Sequence, residues 1–212
     1  VENMTPENAQ RALYSDILNL SVALEEYKQF EAVLQKITNV YYVGDLLQEL
    51  LSEQALKQDL LNDILQSEHS SQFRDELLSL NPESLARVLI EGLPLKNDSL
   101  TNYLSKEKFA LQPLHNFFFT RDASVSIWDN VLISRMANSV RERETHIMNS
   151  IFSHTFSTRV INSAKSLNPE ACMQIEGGDV LIAREDVVLI GIGMRTSPHG
   201  VDVIVDKLRH KI

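Results

Sequence analysis

Four ionic side chains in the second half of the sequence have types and spacings that could bind a small zwitterion. They are two carboxylates and two arginines, namely Asp122, Arg141, Glu176 and Arg195. Arg141 follows Asp122 by 19 residues, and Arg195 follows Glu176 by 19 residues. Carboxylates bind a planar cation through paired hydrogen bonds, and arginines bind a carboxylate in the same way. The set would suit a ligand with a guanidinium at one end and a carboxylate at the other, such as free arginine.

The first carboxylate follows an aromatic run, since residues 114–122 read LHNFFFTRD. A run that is apolar on both faces predicts a buried strand, with the three phenylalanines in the core. An ion at the end of such a strand would lie at the floor of a cleft, where electrostatic interactions are stronger than in water. The alternative is a core strand whose exit carries only a structural Arg–Asp pair.

Each carboxylate is followed by a predicted hairpin and a helix. Residues 124–128 and 131–133 form the first hairpin around the turn pair Asp129-Asn130, and residues 139–149 form its helix. RERE at the start of this helix is typical of a solvated face. A cation there opposes the helix macrodipole, however, and we therefore expect Arg141 to have another partner.

The second hairpin comprises residues 173–192 and begins with IEGGDV. Gly177 and Gly178 within a strand predict a bulge or a close backbone approach, and Glu176 and Asp179 beside them need partners. A bulged edge strand with an exposed acid is the alternative. Ser197 and Pro198 then begin a final helix. The strand–hairpin–helix course thus occurs twice, which indicates a repeated unit that delivers ions to one centre.

The first 44 residues predict the start of an α/β domain. Residues 21–38 form an amphipathic helix whose apolar stripe is Ala23, Tyr27, Phe30, Leu34 and Ile37. Residues 39–43 are β-branched and aromatic, which predicts a strand that Gly44 ends. Asp16, farther upstream, is interpreted as a surface or capping carboxylate.

Residues 45–109 differ in kind, because they show helical periodicity throughout and no strand pattern. We predict one long or broken helix over 46–65 with Asp45 as its N-cap, a helix over 70–80, and a third that starts at Asn81-Pro82 and stops at Gly92. The leucines of these helices are interpreted as core. We therefore predict an all-helical bundle inserted into an α/β domain.

Composition limits the function classes. The chain has 212 residues and a net charge of −9, which argues against nucleic acid as a partner. No apolar run is long enough to span a membrane. The single cysteine, Cys172, excludes an internal disulfide and favours the cytoplasm. The chain starts without Met, and we expect a fragment whose open strand edges favour self-association into a homo-oligomer.

Taken together, HNFFFTRD, RERET, IEGGDV and GMRTS resemble the arginine deiminases of the guanidine-modifying (amidinotransferase-like) superfamily. The resemblance implies an α/β fold, here a partial five-fold pseudosymmetric propeller with an inserted helical bundle. Its implied boundaries are 1–44 for the first part of the propeller, 45–108 for the bundle and 109–212 for the middle blades. It also implies hydrolysis of L-arginine to L-citrulline and ammonia through a covalent cysteine intermediate, with neither a metal nor a cofactor.

The resemblance also implies a role for individual residues. Asp122 and Glu176 would act in catalysis by holding the guanidinium from two sides. The α-amino-acid end of the substrate would be bound by Asn116, Arg141 and Arg195. Asp179 would support the site from behind, and Gly177 and Gly178 would allow close backbone packing.

Two features depart from the family pattern. The catalytic histidine of the family lies in a His-x-Asp motif, which does not occur in this sequence. The nucleophilic cysteine of the family follows a Gly-rich turn, whereas Cys172 lacks that context and is interpreted as an inert thiol. We therefore expect this chain to be inactive alone. The alternative is a naturally truncated protein that binds arginine or acts as an interaction module. Arg141 and Arg195 argue against agmatine as the substrate, because agmatine has no carboxylate.

Overall fold

The computed structural model describes residues 18–156, 158–163 and 173–209, and this part of the protein is mixed α/β. Its α-helices are Leu20–Leu34, Val43–Leu51, Gln54–Ser67, Arg74–Ser79, Pro82–Glu91, Leu100–Leu104, Thr120–Ala123, Glu142–His154 and Pro198–Leu208. Its strands are Leu93–Pro94, Phe109–Leu111, Ser124–Ile127, Asn130–Ile133, Arg159–Asn162, Val180–Arg184 and Val187–Ile190. The predictions at Asp16 and Cys172 lie outside the described residues.

The helices between residues 43 and 91 pack into one apolar core with helix Glu142–His154. Leu47, Leu61 and Leu85 are fully buried in this core, and Ile147 joins them from the later helix. The leucines are therefore core, as the sequence predicts. The predicted broken helix is confirmed as two helices, Val43–Leu51 and Gln54–Ser67. The domain division at 44/45 and 108/109 stays a prediction.

Local sequence sets the ends of helix Pro82–Glu91. Asn81 Oδ1 accepts a hydrogen bond from Ser84 N at 2.8 Å, and Pro82 occupies the first turn. Gly92 ends the helix at φ +91°, and a Cβ there would lie 2.8 Å from Leu111 O. This close approach belongs to a short antiparallel pair between Leu93–Pro94 and Phe109–Leu111. The prediction that no strand occurs within 45–109 is wrong in this detail.

We call residues 120–154 the first unit. Strands Ser124–Ile127 and Asn130–Ile133 form the predicted hairpin, and Arg159–Asn162 extends it in parallel into a three-stranded sheet. A 3-10 turn at Ser139–Arg141 leads directly into helix Glu142–His154, as predicted. The tight turn is formed by Trp128 at φ +54° together with Asp129, because Asn130 already pairs with Ile127.

We call residues 176–208 the second unit. Gly177–Asp179 forms a 3-10 turn, followed by the hairpin Val180–Arg184 and Val187–Ile190. Helix Pro198–Leu208 starts as predicted, with Ser197 Oγ accepting from Gly200 N at 3.1 Å. The expected continuous strand from Ile175 is interrupted, since Ile175 makes only an isolated bridge with Arg135. Each unit is therefore a hairpin followed by a helix.

Two predicted strands are wrong. Residues 39–42 form no strand, and Val43 already begins a helix, with Tyr42 rather than Asp45 at the N-cap. Helix formation at Val43 lets the leucines that follow enter the core. In the second predicted strand, residues 115–118 form turns that lead into the short helix Thr120–Ala123. Only Phe117 is buried, while Phe118 and Phe119 are 38% and 47% exposed.

Helix Leu20–Leu34 is confirmed, but it buries none of its residues within the described part of the chain. Tyr27, Phe30 and Ile37 of the predicted stripe are all about half exposed or more. The apolar periodicity predicts the helix correctly, because apolar residues at helical spacing lie on one face. It does not identify what the face contacts.

Candidate functional site

Arg141 is the centre of the candidate site and one of the most buried charged residues described. Its Nη1 donates to Asp122 Oδ2 at 2.8 Å. Its Nε and Nη2 both donate to the Glu144 carboxylate, with Nη2–Oε2 at 2.8 Å. Nη2 also donates to Asn116 O at 3.3 Å. The expected additional partner of Arg141 is therefore confirmed, and a solvated RERE face is excluded.

Glu144 is a site residue that the sequence reasoning missed. Its side chain is 1% exposed, and burial raises its pKa to about 7 although the hydrogen bonds and charge of Arg141 oppose the rise. The nearby carboxylates of Asp122 and Glu176 add to the increase. A signal was present in the sequence, because Glu144 lies three residues after Arg141 and such pairs share a helix face.

Glu176 lies at the start of the second unit and points toward the first. It is buried, and its Oε1 accepts from Ala137 N at 3.1 Å. Burial raises its pKa, the Ala137 N–H and Arg141 counteract the rise, and Asp122 adds to it. Glu176 and Asp122 are thus close enough to perturb each other, as the predicted convergence requires. An exposed acid on a bulged edge strand is excluded at this position.

The glycine pair brings the two units into contact. A Cβ on Gly177 would collide with Arg121 O, and one on Gly178 would lie 2.5 Å from Asp122 Oδ1. Gly177 N also donates to Ser134 Oγ at 3.2 Å. The predicted close backbone approach is confirmed, and it sets the Glu-Gly-Gly turn directly against the carboxylate of Asp122.

Asp179 supports this turn from behind. Its Oδ2 accepts from Thr196 Oγ1 at 2.7 Å, and Thr196 Oγ1 accepts in turn from Glu176 N at 3.2 Å. Thr196 is fully buried. The hydroxyl of Thr196, the residue after Arg195, therefore bonds to both Glu176 and Asp179. No sequence pattern predicted this link.

The remaining two predicted residues differ in position. Asn116 is buried beside Arg141 and contributes its backbone oxygen to that contact. Arg195 is exposed and makes no hydrogen bond or ion pair within the described residues, although its charge lowers the pKa of Glu176. The structure therefore gathers Asn116, Asp122, Arg141 and Glu176 tightly, with Arg195 at the rim.

The net electrostatic character of this cluster is negative. Asp122, Glu144 and Glu176 supply three carboxyl groups, whereas Arg141 is the one arginine that bonds to any of them within the part of the chain that the structure describes. Burial opposes the charge of Arg141, but its hydrogen bonds to Glu144 and Asp122 outweigh burial and raise its pKa. An added cation would relieve the repulsion among the carboxylates. The arrangement can therefore bind a cation at its centre and an anion near Arg195.

Other site classes have no support in the described ranges. Residues 18–156, 158–163 and 173–209 contain no cluster of three or more histidine, cysteine or acidic side chains that could hold a metal ion. Within the same ranges, no helix is both long and apolar enough to cross a bilayer.

The carboxylates and the arginine gathered between the two hairpin–helix units are side-chain types that bond to charged, planar groups. Comparison of sequences makes this specific. The family model described as arginine deiminase matches residues 10–211. The chain belongs to the arginine deiminase family, and the resemblance drawn from its four motifs is confirmed.

Individual relatives agree with this assignment. The chain is 30% identical to an arginine deiminase of Borrelia recurrentis over 223 residues, which cover 98% of this chain and 54% of that protein. It is 30% identical to an arginine deiminase of Levilactobacillus brevis, covering 98% and 55%. It is 29% identical to arginine deiminase 1 of Staphylococcus epidermidis, covering 95% and 52%. The chain spans about half the length of the curated relatives it matches.

A solved structure shows a weaker likeness. It is a dimethylarginine dimethylaminohydrolase variant crystallised as an adduct with S-methyl-L-thiocitrulline. The TM-score is 0.39 and the identity 20%, with 58% of this chain and 54% of the other covered. A TM-score this low does not establish a shared propeller.

Proposed function

We propose that this chain supplies the guanidinium-binding half of an enzyme that hydrolyses L-arginine to L-citrulline and ammonia. One observation carries the proposal: the Glu176-Gly177-Gly178 turn lies against Asp122, and the two carboxylates are close enough for Asp122 to raise the pKa of Glu176. Charge-assisted bonds from two sides would hold a planar cation in a fixed orientation. Membership of the arginine deiminase family supports arginine as that cation.

The charges near the cluster indicate which residues bind the α-amino-acid end of the ligand. Arg195 is exposed at the rim of the cluster, and Asn116 lies beside Arg141. In the proposal, these three residues bind the α-amino-acid group, while Asp179 fixes the Glu176 turn through Thr196. No metal or cofactor takes part. The five-fold propeller, with residues 45–108 as an inserted bundle, is the architecture we propose for the whole enzyme.

We further propose that the chain alone binds arginine without turning it over. Nucleophilic chemistry on a guanidinium carbon needs an activated thiolate and a proton-transfer group. The sequence contains no His-x-Asp motif, and its one cysteine is Cys172. The chain therefore binds the substrate weakly, because the remaining substrate-binding groups are supplied by other parts of the enzyme.

Calorimetric titration of the polypeptide with L-arginine tests binding. We expect measurable binding that Asp122→Asn abolishes, because the neutral amide loses the charge-assisted bond. Asp186→Asn is the matched control, since it removes the same charge from an exposed hairpin turn. Failure of the wild-type chain to bind arginine would contradict the assignment of the guanidinium site. A citrulline-release assay tests inactivity, and turnover that is lost in Cys172→Ser would contradict that part.

A second candidate function is self-association as an interaction module. The observation that favours it is the exposed apolar surface of helix Leu20–Leu34, where Val22, Phe30 and Val33 are each more than half exposed. Contact between two copies of this helix would remove that surface from water. Sedimentation velocity tests it: we expect a homo-oligomer that Phe30→Lys dissociates, and a monodisperse wild-type monomer would contradict it.

A further inference from the structure

The guanidinium of Arg141 is already bonded to Asp122, the carboxylate that is proposed to hold the guanidinium of the ligand. Arg141 Nη1 lies 2.8 Å from Asp122 Oδ2. The other oxygen of Asp122 faces the backbone of Gly178, where a Cβ would lie only 2.5 Å away. An external guanidinium that seeks a paired contact with Asp122 must therefore displace Arg141 from Oδ2.

The other contacts of Arg141 keep its side chain in place during this exchange. Glu144, which lies one helical turn away, holds Nε and Nη2 at 3.1 and 2.8 Å. Asn116 O accepts from Nη2 as well. Nη1 has Asp122 as its partner. Because the guanidinium is planar and rigid, Nη1 exchanges Asp122 for another anion only when the whole group tilts about its contacts with Glu144.

The nature of the ligand then decides whether the exchange is favourable. The side chain of Arg141 is 7% exposed, and a buried N–H donor of an arginine without an acceptor is costly. A ligand with a guanidinium alone takes Asp122 and leaves Nη1 without a partner. A ligand that also carries a carboxylate supplies a new acceptor for Nη1.

We propose that Arg141 determines specificity by exchange: it leaves Asp122 only when the incoming guanidinium ligand brings its own carboxylate. The inference rests on the proposed binding of arginine. It differs from a simple carboxylate-binding role, because Arg141 acts against ligands that lack a carboxylate as well as for ligands that have one. Arg141 is thus an internal competitor for Asp122.

Titration of two ligands separates the two roles. L-Arginine and agmatine share the guanidinium, and agmatine lacks the carboxylate. Arg141→Met removes the internal cation while filling most of its volume. We expect arginine to bind about tenfold more weakly and agmatine severalfold more tightly to this variant, since one charge-assisted bond corresponds to about a decade in affinity. If Arg141 only binds the ligand carboxylate, agmatine affinity stays unchanged.

Arg143→Met is the matched control. Arg143 lies two residues farther along the chain, in the first turn of helix Glu142–His154, is also buried, and bonds to Glu68 and Leu89 O instead of Asp122. The Arg143→Met substitution removes the same charge, and we expect it to change the ratio of the arginine and agmatine affinities by less than about twofold. A similar gain in agmatine binding by this variant would overturn the exchange mechanism, because the gain would then come from net charge.

A measurement on the wild-type chain keeps the inference testable if either variant fails to fold. Agmatine is titrated in sodium acetate and in sodium chloride at equal ionic strength. Acetate can accept from the released Nη1, and we expect it to tighten agmatine binding severalfold. Equal affinity in the two salts overturns the inference. Arginine binding to the wild type, with agmatine affinity unchanged by Arg141→Met, would overturn the exchange and leave the proposed function standing, and absence of all binding would overturn both.

Discussion

The first and second units share a hairpin–helix course but differ in how their arginines are held. In the first unit, Arg141 is buried and bonded to Asp122, which lies 19 residues earlier, and to Glu144. In the second unit, Arg195 has the same spacing from Glu176 but is exposed at the rim. Glu176 bonds instead to the backbone of Ala137, in the loop of the first unit.

The difference assigns distinct roles to two similar units. The first unit carries an ionic network in which Arg141 bonds to both Asp122 and Glu144. The second unit directs its acid toward the first and leaves its arginine exposed. A repeated topology therefore does not produce a repeated site, because burial decides which charges bond to each other and which remain available.

The largest expected effect tests whether the first network is structural. Glu144→Ala leaves the buried guanidinium of Arg141 with Asp122 as its remaining carboxylate partner, and we expect a loss of about 3 kcal/mol of unfolding free energy. Arg195→Ala, the corresponding change to the exposed cation of the second unit, should shift stability by less than about 0.5 kcal/mol. Urea unfolding of both variants measures the contrast. Equal costs in the two variants would remove the distinction between the units.

The pH dependence of stability sharpens the same comparison. Burial raises the pKa of Glu144 from 4.5 to about 7 in the folded protein. Between these values the unfolded chain releases the proton while the folded chain retains it. Stability therefore falls as pH rises through this window, by about 3 kcal/mol for this group at 1.36 kcal/mol per unit of pKa. The pKa of Glu176 is also raised, so its contribution to stability likewise falls as the pH rises.

Glu144→Gln isolates the contribution of the first unit. It keeps the shape of the side chain and removes the titration, so the decline between pH 4.5 and 7 should become shallower than in the wild type. Urea unfolding across this range measures both slopes. Identical slopes would mean that Glu144 does not titrate in this window, and the network would then hold a permanently ionised carboxylate.

Local chemistry explains which elements could be predicted from the sequence. Asn81 and Pro82 set a helix start by bonds within a few residues, and Ser197 and Pro198 do the same. Both hairpins were predicted for a similar reason, since their pairing is short in range. The strand predicted at 39–43 failed because a strand needs a partner, and propensity alone does not supply one.

The candidate site was likewise predictable in part from local sequence, whereas its long-range contacts were not. Residue types and spacing predicted the convergence of Asp122, Arg141 and Glu176, and the need for a partner of Arg141 followed from the helix dipole. That Asp122 itself is this partner, and that Glu144 is buried against Arg141, depends on packing between elements that are separated in the chain. LHNFFFTRD misled for that reason: its aromatic run indicated a buried strand, whereas its backbone forms turns over residues 115–118 and, of the three rings, that of Phe117 is buried.

The smallest of these effects concerns the contact between the units. Gly177→Ala would place a methyl group against Arg121 O and within 2.9 Å of Val125 Cβ, so the Glu-Gly-Gly turn would have to move away from Asp122. Overpacking of this kind costs about 1–3 kcal/mol, and we expect arginine binding to weaken together with stability. Gly193→Ala is the control, because a Cβ there has no atom within 4 Å, and it should change stability by less than about 1 kcal/mol. If Gly177→Ala left binding intact, the two carboxylates would not depend on this contact for their alignment, and the second unit would reach the site by another route.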